Sequence, residues 1–287
     1  MPSRVLKLLL SLAYFAGVQL RRGLLRLGGR FPAPTCIVLY YHSIAPADRL
    51  AFARQMDAVQ RLTLPIDGEG PAELLPGKYY SFITFDDAFE DAIEQAVPEL
   101  VRRRIPALIF VTVDFLGKPA SWWPASAPEA ARKIATAEQV RALPRQWIKV
   151  GAHTLTHPRL SAIGESEARR EIAEPRRWLE SLVGYEVKSL SFPYGDFDEE
   201  VLRWSREAGY RHAFTTQHQN AFAGAESFLV GRVKAEPGDW PVEFWLKLRG
   251  GYLWLPQAIA LKRRVRQLIG RSRPVGSPLA KKSAAPG

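Results

Sequence analysis

Seven short apolar segments separated by helical patterns run along residues 35–255, and they set the strongest limit on the fold. Most of them are nearly continuous runs of β-branched and aromatic residues, as expected for strands buried on both faces. The alternation of such strands with helices predicts a parallel sheet with helices outside it, in an incomplete or distorted barrel that forms one domain. The predicted strands are 36–41, 80–85, 107–112, 147–152, 187–192, 211–215 and 228–233, and the predicted helices are 49–61, 88–104, 136–143, 165–183 and 198–208.

Charge is distributed unevenly along the chain. The net charge of +11 would suit a nucleic-acid-binding protein. However, residues 1–34 carry six basic and no acidic residues, and residues 256–287 carry eight basic and no acidic residues. The body between them therefore has a net charge of −3. The sequence shows neither a basic folded module nor aromatic residues interleaved with basic ones. We therefore expect no nucleic-acid partner.

The two basic ends predict contact with a membrane. Residues 5–20 are mostly apolar, which is compatible with a membrane anchor or in-plane helix, a cleaved signal peptide, or a plain surface helix. We expect the first of these, because arginines follow the apolar run where a signal peptide would have small residues. Four arginines between positions 21 and 30 favour a cytoplasmic catalytic domain. Residues 259–269 have the pattern of a basic amphipathic helix, or of a solvated basic tail, and we expect disorder from 271 onward. The predicted organisation is therefore a membrane-associating segment (1–34), a catalytic barrel (35–255), and an amphipathic helix with a disordered tail (256–287).

Candidate catalytic residues follow the predicted strands. His42 follows the first strand, Asp86 and Asp87 follow the second, and His153 and His157 follow the fourth. Because the loops after parallel barrel strands share one face, we expect these side chains to meet.

The residue types indicate a metal site. His153 and His157 are four residues apart, and two imidazoles with one carboxylate form a three-ligand set that leaves a position for water. The adjacent Asp86 and Asp87 can have different roles, one binding a metal while the other accepts a proton. The alternative for these acids is a helix N-terminus, and for the histidines two ordinary surface positions. The single cysteine, Cys36, excludes an internal disulfide and a cysteine-based zinc site.

Two further features lie near these positions. The turn Pro193-Tyr194-Gly195 follows the fifth strand and could aim the Tyr194 N–H at an oxyanion, or could be a plain turn. Trp122 and Trp123 lie in a Trp/Pro-rich loop at 117–128, where they could stack on a substrate or cover the barrel end.

Three ordered motifs resemble those of the polysaccharide deacetylases, which are carbohydrate esterase family 4 or the NodB homology domain. They are Thr84-Phe85-Asp86-Asp87, His153-Thr154-Leu155-Thr156-His157 and Phe192-Pro193-Tyr194-Gly195. The segment 38–44, Val-Leu-Tyr-Tyr-His-Ser-Ile, is similar to the first strand of one branch of that family. The resemblance covers about residues 36–245. It implies a distorted, incomplete (β/α)7 barrel, a divalent metal that is often Zn²⁺, and a hydrolase that removes N-acetyl or other N-acyl groups from an amino sugar in a polysaccharide or lipid-linked glycan.

The resemblance also implies a role for each candidate. Asp87, His153 and His157 would be metal ligands, Asp86 the general base, and the Tyr194 N–H an oxyanion donor. Many members supply the general acid from a late Leu-x-His motif, which this sequence lacks, so we assign that role to His42, against a structural or substrate-contact role. The expected substrate contacts are Pro193, Tyr194, Trp122 and Trp123.

The sequence departs from the family pattern at three places. Ala88 replaces a glycine, Ser191 replaces an arginine that orients the base, and Asp239-Trp240 is only a candidate for the fourth motif. These departures leave open a second hypothesis, a carbohydrate- or lipid-binding membrane protein with weak or no turnover. We expect His212 and His218 to be structural.

Overall fold

A computed structural model describes residues 3–68, 74–222 and 228–261 of the chain. All seven predicted strands are present. An eighth strand of two residues was not predicted. In chain order the strands are β1 (Thr35–Tyr41), β2 (Leu64–Pro65), β3 (Tyr79–Phe85), β4 (Ala107–Val111), β5 (Ile148–Ala152), β6 (Ser189–Ser191), β7 (His212–Thr215) and β8 (Leu229–Lys234).

The strands form the predicted parallel barrel. The order β1-β8-β7-β6-β5-β4-β3 returns to its start because β1 also pairs with β3, and every pairing is parallel. The short β2 is added to the outside of β3. The distortion lies between β5 and β6, which share the single residue pair Ala152 and Leu190, whereas β4 and β5 share five. This narrow seam is at the end of the barrel where His153 follows β5.

Helices surround the barrel and connect its strands. The helix Glu165–Val183 is capped by Gly184, whose φ of 72° places it in the left-handed conformation that glycine adopts without strain. The helix Pro241–Leu248 was not predicted from the sequence, and the helix Ala137–Arg141 is shorter than predicted. The helices are α1 (Arg4–Leu27), α2 (Arg49–Leu62), α3 (Glu90–Arg102), α4 (Ala137–Arg141), α5 (Glu165–Val183), α6 (Glu199–Glu207) and α7 (Pro241–Leu248).

The side chains inside the barrel are apolar in its middle and polar at its carboxyl end. Phe82, Phe110 and Phe214 belong to one buried cluster, and the rings of the last two lie 5.1 Å apart. The guanidinium of Arg232 on β8 lies over Phe110 and Phe214. Since side chains alternate along a strand, the inward row of Phe82 on β3 continues through Thr84 to Asp86. The apolar filling thus ends where the polar candidates begin.

The N-terminal helix packs on this barrel. The 24-residue α1 has the length and composition of a membrane-spanning helix, about 36 Å long. Its Ser11 accepts a hydrogen bond from the Trp254 indole at 2.9 Å, and its Phe15 meets Trp245 edge-on. Residues 255–261 are helical, while the rest of the predicted amphipathic helix, 262–269, and the predicted tail lie outside the described residues.

Candidate active site

Asp87, His153 and His157 come together at the carboxyl end of the barrel, as the sequence analysis expected. The Asp87 Oδ1 atom lies 3.4 Å from His153 Nε2 and 3.5 Å from His157 Nε2. All three residues are buried, and this oxygen has no hydrogen-bond partner among the described residues. Ligand atoms about 2.1 Å from a tetrahedral zinc ion lie about 3.4 Å apart. The set therefore fits a divalent metal bound by one carboxylate oxygen and two imidazole nitrogens.

Neighbouring groups orient these ligands. The His153 Nδ1 atom lies 2.8 Å from the Ser191 carbonyl oxygen, which can only accept, so Nδ1 carries the proton and Nε2 is free to bind a metal. The ring of Trp122 stacks on His157 at 4.6 Å between centroids. The Trp123 indole N–H points at Asp87 Oδ2 at 3.4 Å. The structure thus places both tryptophans against the ligand set.

The two imidazoles differ in their protonation. Burial and the nearby His153 lower the pKa of His157 to about 3, so its ring is neutral and can donate a lone pair. Burial also lowers the pKa of His153, but Asp86 and Asp87 outweigh it and raise the pKa overall. The pKa of Asp87 is lowered, because the histidines outweigh its burial. The two carboxylates therefore favour positive charge beside His153, which also favours a metal cation there.

Asp86 is held by an arginine from the far end of the chain. Arg232 on β8 is fully buried, and its two terminal nitrogens donate to Asp86 Oδ1 at 2.7 Å and Oδ2 at 2.8 Å. The same guanidinium donates to Ser191 Oγ at 2.8 Å and to Thr84 Oγ1 at 3.2 Å. Burial raises the pKa of Asp86, but Arg232 and the neighbouring histidines outweigh it and hold the pKa well below its usual range. Asp86 is therefore an ionised, oriented carboxylate.

Arg232 supplies the cation beside Asp86 that the sequence lacks at position 191. The Ser191 hydroxyl on β6 donates to Asp86 Oδ1 at 3.2 Å. The cation comes from Arg232 on β8, and both side chains face the same carboxylate. Arg232 was not predicted as a site residue, although a lone arginine within the apolar strand Leu229–Lys234 is itself a sign of a buried acidic partner.

Glu171 on α5 was also missed, and it holds the loop that carries both histidines. Its side chain is fully buried. One oxygen accepts from the backbone N–H groups of Leu155 and Thr156 at 2.8 and 2.9 Å, and the other accepts from the Thr156 hydroxyl at 2.6 Å. Its sequence signal was its position between Ala168 and Ile172 on the buried face of α5.

We expect Glu171→Ala to weaken metal binding by about 10- to 100-fold, because the histidine loop loses the bonds that orient its ligands. The measurement is a competition between the protein and a chromogenic zinc chelator. The control is Glu167→Ala, an exposed acid on the same helix that should leave the affinity unchanged. Unchanged affinity in Glu171→Ala together with a lower melting temperature would assign Glu171 to the fold alone.

Tyr194 and His42 complete the rim of the site. The Tyr194 ring is 46% exposed and meets His157 edge-on at 4.7 Å, and the Arg159 guanidinium covers it at 4.3 Å. His42 is half-buried, and its ring meets Trp123 edge-on at 5.5 Å. Burial lowers the pKa of His42, while Asp87 and Asp86 act in the opposite direction. Both residues therefore lie at the same end of the barrel as the ligand set.

The backbone of this site is strained. Seven described residues other than glycine have positive φ, and five belong to the three motifs or directly follow them. Each such conformation costs on the order of 1 kcal/mol or more, and persists only where the surrounding structure imposes it. Ala88 has a φ of 58°, in the left-handed region that a glycine would adopt without strain. The five are Asp87, Ala88, Thr154, His157 and Tyr194.

The remaining candidates lie apart from the ligand set. Asp239 accepts from Lys247 at 2.7 Å and from the Glu236 N–H at 3.1 Å, in contacts that join α7 to the preceding loop. Trp240 lies under the Arg4 guanidinium of α1. His218 Nδ1 lies 3.1 Å from the Tyr252 carbonyl oxygen. His212 is in β7 beside Phe222.

The chain resembles known proteins in sequence and in fold. Residues 76–213 match the family model described as polysaccharide deacetylase. The chain is 23% identical over 212 residues to "Putative polysaccharide deacetylase YxkH" of Bacillus subtilis, which covers 70% of this chain and 71% of that protein. It is 28% identical over 158 residues to a chitooligosaccharide deacetylase of Sinorhizobium fredii, which covers 54% of this chain and 61% of that protein.

Solved structures share the barrel. IcaB from Ammonifex degensii superposes with a TM-score of 0.64 at 23% identity, over 75% of this chain and 98% of that one. The Streptococcus pyogenes deacetylase PplD in complex with acetate superposes with a TM-score of 0.62 at 18% identity, over 75% and 99%. At these sequence identities the structural similarity shows a shared fold and nothing about activity.

Proposed function

We propose that the chain is a member of the polysaccharide deacetylase family, a metal-dependent hydrolase that removes an N-acetyl or other N-acyl group from an amino sugar in a polysaccharide or lipid-linked glycan. The named relatives are deacetylases, which hydrolyse carbon–nitrogen bonds other than peptide bonds. The observation that carries the proposal is the buried set Asp87, His153 and His157 beside the ionised Asp86.

Asp87, His153 and His157 would hold the metal, for which Zn²⁺ is our first choice given two imidazole ligands. Bound there, a divalent metal would supply Lewis acidity toward the amide carbonyl and lower the pKa of a coordinated water.

The protein's own groups would move the protons. Asp86 accepts a proton from the attacking water, and Arg232 keeps its carboxylate ionised and oriented. The Tyr194 N–H donates to the oxyanion that develops on the carbonyl oxygen. His42 gives a proton to the departing amine, so that water and amide become a carboxylic acid and a free amino sugar.

The aromatic rim supports a sugar substrate. Tyr194 is exposed and contacts His157, Trp122 stacks on His157, and Trp123 donates to Asp87, while Pro193 is buried behind Tyr194. Aromatic faces suit the apolar faces of sugar rings.

We further propose that the enzyme works at a membrane, with the cytoplasmic face favoured by the arginines after the apolar part of α1.

The alternative is a binding protein without turnover, which rested on Ser191 and on the absence of a late histidine. The contact of Arg232 with Asp86 weakens the first of these reasons. The second remains, and a measurement of turnover separates the two hypotheses.

We expect the zinc-loaded protein to release acetate from N-acetylglucosamine oligomers or from a lipid-linked N-acetylhexosamine. Removal of the metal with a chelator should abolish release, and added Zn²⁺ should restore it. The measurement is enzymatic detection of acetate, with mass spectrometry of the de-N-acetylated sugar. Stoichiometric metal and sugar binding without any release would contradict the proposed hydrolase and support the binding protein.

A further inference from the structure

One face of α1 is fixed to the barrel along the length of the helix. Near its start, Arg4 donates to Glu243 at 2.8 Å and to the Gly238 carbonyl at 2.8 Å. Near its end, Arg22 is only 7% exposed. Its guanidinium donates to the carbonyl oxygens of Ala33 and Gly77 at 3.2 and 3.0 Å, and to the hydroxyl of Thr35. These contacts, with those of Ser11 and Phe15, occupy a single face of the helix.

The opposite face of α1 is apolar and exposed. At 100° per residue, its centre lies about 160° from the face that holds Arg4, Ser11, Phe15 and Arg22. Its side chains are between 46% and 88% exposed. We call this surface the leucine face. It consists of Val5, Leu6, Leu9, Leu20, Leu24 and Leu27.

Basic residues flank the leucine face, and the segment 1–34 contains no acidic residue. Arg21 lies on one side of the face and Arg26 on the other, by the same helical geometry. An exposed apolar face between cationic flanks is the pattern of a helix that lies in the interface of an anionic bilayer. Charge complementarity therefore selects anionic lipid as the occupant.

A spanning orientation conflicts with the contacts of α1. To cross a bilayer, α1 would have to leave the barrel, which would strip Arg22 of three oxygen partners and separate Arg4 from Glu243. It would also remove Ser11 from Trp254 and Phe15 from Trp245. An in-plane orientation keeps all of these contacts and buries the leucine face.

We propose that α1 binds the surface of an anionic bilayer with its axis parallel to the membrane, while its opposite face stays on the barrel. This inference rests on the proposed membrane location and is independent of the proposed reaction.

The test is sedimentation of the full chain with vesicles of phosphatidylcholine, with and without phosphatidylglycerol. We expect binding that requires phosphatidylglycerol. Leu20→Glu should weaken it by about tenfold or more, because a leucine leaves the apolar region and a like charge faces the anionic lipid. Leu50→Glu on α2 is the matched control, since Leu50 is 72% exposed and Leu20 68%. It should leave binding unchanged.

Three results would overturn the inference. One is no binding to either vesicle, and another is equal binding to both. The third is retention of the vesicle-bound chain in the membrane after alkaline carbonate extraction, which releases an in-plane helix and leaves a spanning one. Because no substrate is present, a chain that binds vesicles but releases no acetate would contradict the proposed reaction and leave this inference standing. Circular dichroism of both variants checks that the fold is retained.

Discussion

Replacing Asp86 with asparagine should lower kcat for acetate release by a factor of about 10²–10⁴, the usual contribution of a general base. Asparagine keeps the size of the side chain and can still accept a hydrogen bond from Arg232, but it cannot take a proton from water. The three ligand atoms belong to other residues, so the variant should bind metal with the stoichiometry of the parent. The measurement pairs kcat with metal content, and loss of metal in Asp86→Asn would instead make Asp86 part of the metal site.

A second substrate separates the base from the acid. An activated aryl acetate has a leaving group that departs without a proton, whereas an amide nitrogen must be protonated. Asp86→Asn should therefore be slow on both substrates, and His42→Gln should be slow on the amide alone. Equal losses on the two substrates in His42→Gln would contradict the assignment of His42 as general acid.

Replacing Arg232 with methionine should destabilise the protein by about 3–5 kcal/mol, because it leaves the buried Asp86 carboxylate without its cation. For a chain of this size that corresponds to a fall in melting temperature of roughly 10 °C. The pKa of Asp86 should rise from its depressed position, since the group that outweighs its burial is gone. Stability from a carboxyl with a depressed pKa is present above its unfolded pKa and is lost as the pH falls. The deficit of Arg232→Met should therefore be large at neutral pH and shrink in acid, which calorimetry at two pH values can measure.

Three further variants test the same prediction. Asp86→Asn combined with Arg232→Met removes both charges, and it should recover part of the stability but none of the activity. Arg232→Ser should be inactive, and adding Ser191→Arg should return part of its activity by restoring the cation from β6. A fully active Arg232→Met would show that the arginine does not position the base.

The parts of the protein that could be predicted are those with a local signal. Buried parallel strands are continuous apolar runs, so seven strands were visible, whereas Leu64–Pro65 is too short to have a pattern. The helix Pro241–Leu248 was missed because most of its own residues are apolar, so its sequence shows no clear helical periodicity. His153, His157 and Asp87 could be grouped because all three follow strands, and the ends of parallel strands meet.

The supporting residues could not be placed in the same way. Arg232 meets Asp86 across 146 positions of the chain, and Glu171 meets Leu155 from another element. Each is a charge on an apolar face, so the sequence signals a buried partner but not which one. The partner depends on how the barrel closes, which places β8 beside β1 and only one strand from β3.

The contacts of α1 also bear on how a soluble form of this enzyme should be made. A chain that began at residue 35 would leave Glu243 without Arg4, open the barrel edge at Thr35 and Gly77, and bare the indoles of Trp245 and Trp254. Such a truncated barrel would be prone to aggregation, because it replaces one exposed apolar surface with another. Polar substitutions confined to the leucine face would remove the membrane affinity and retain the helix as part of the fold.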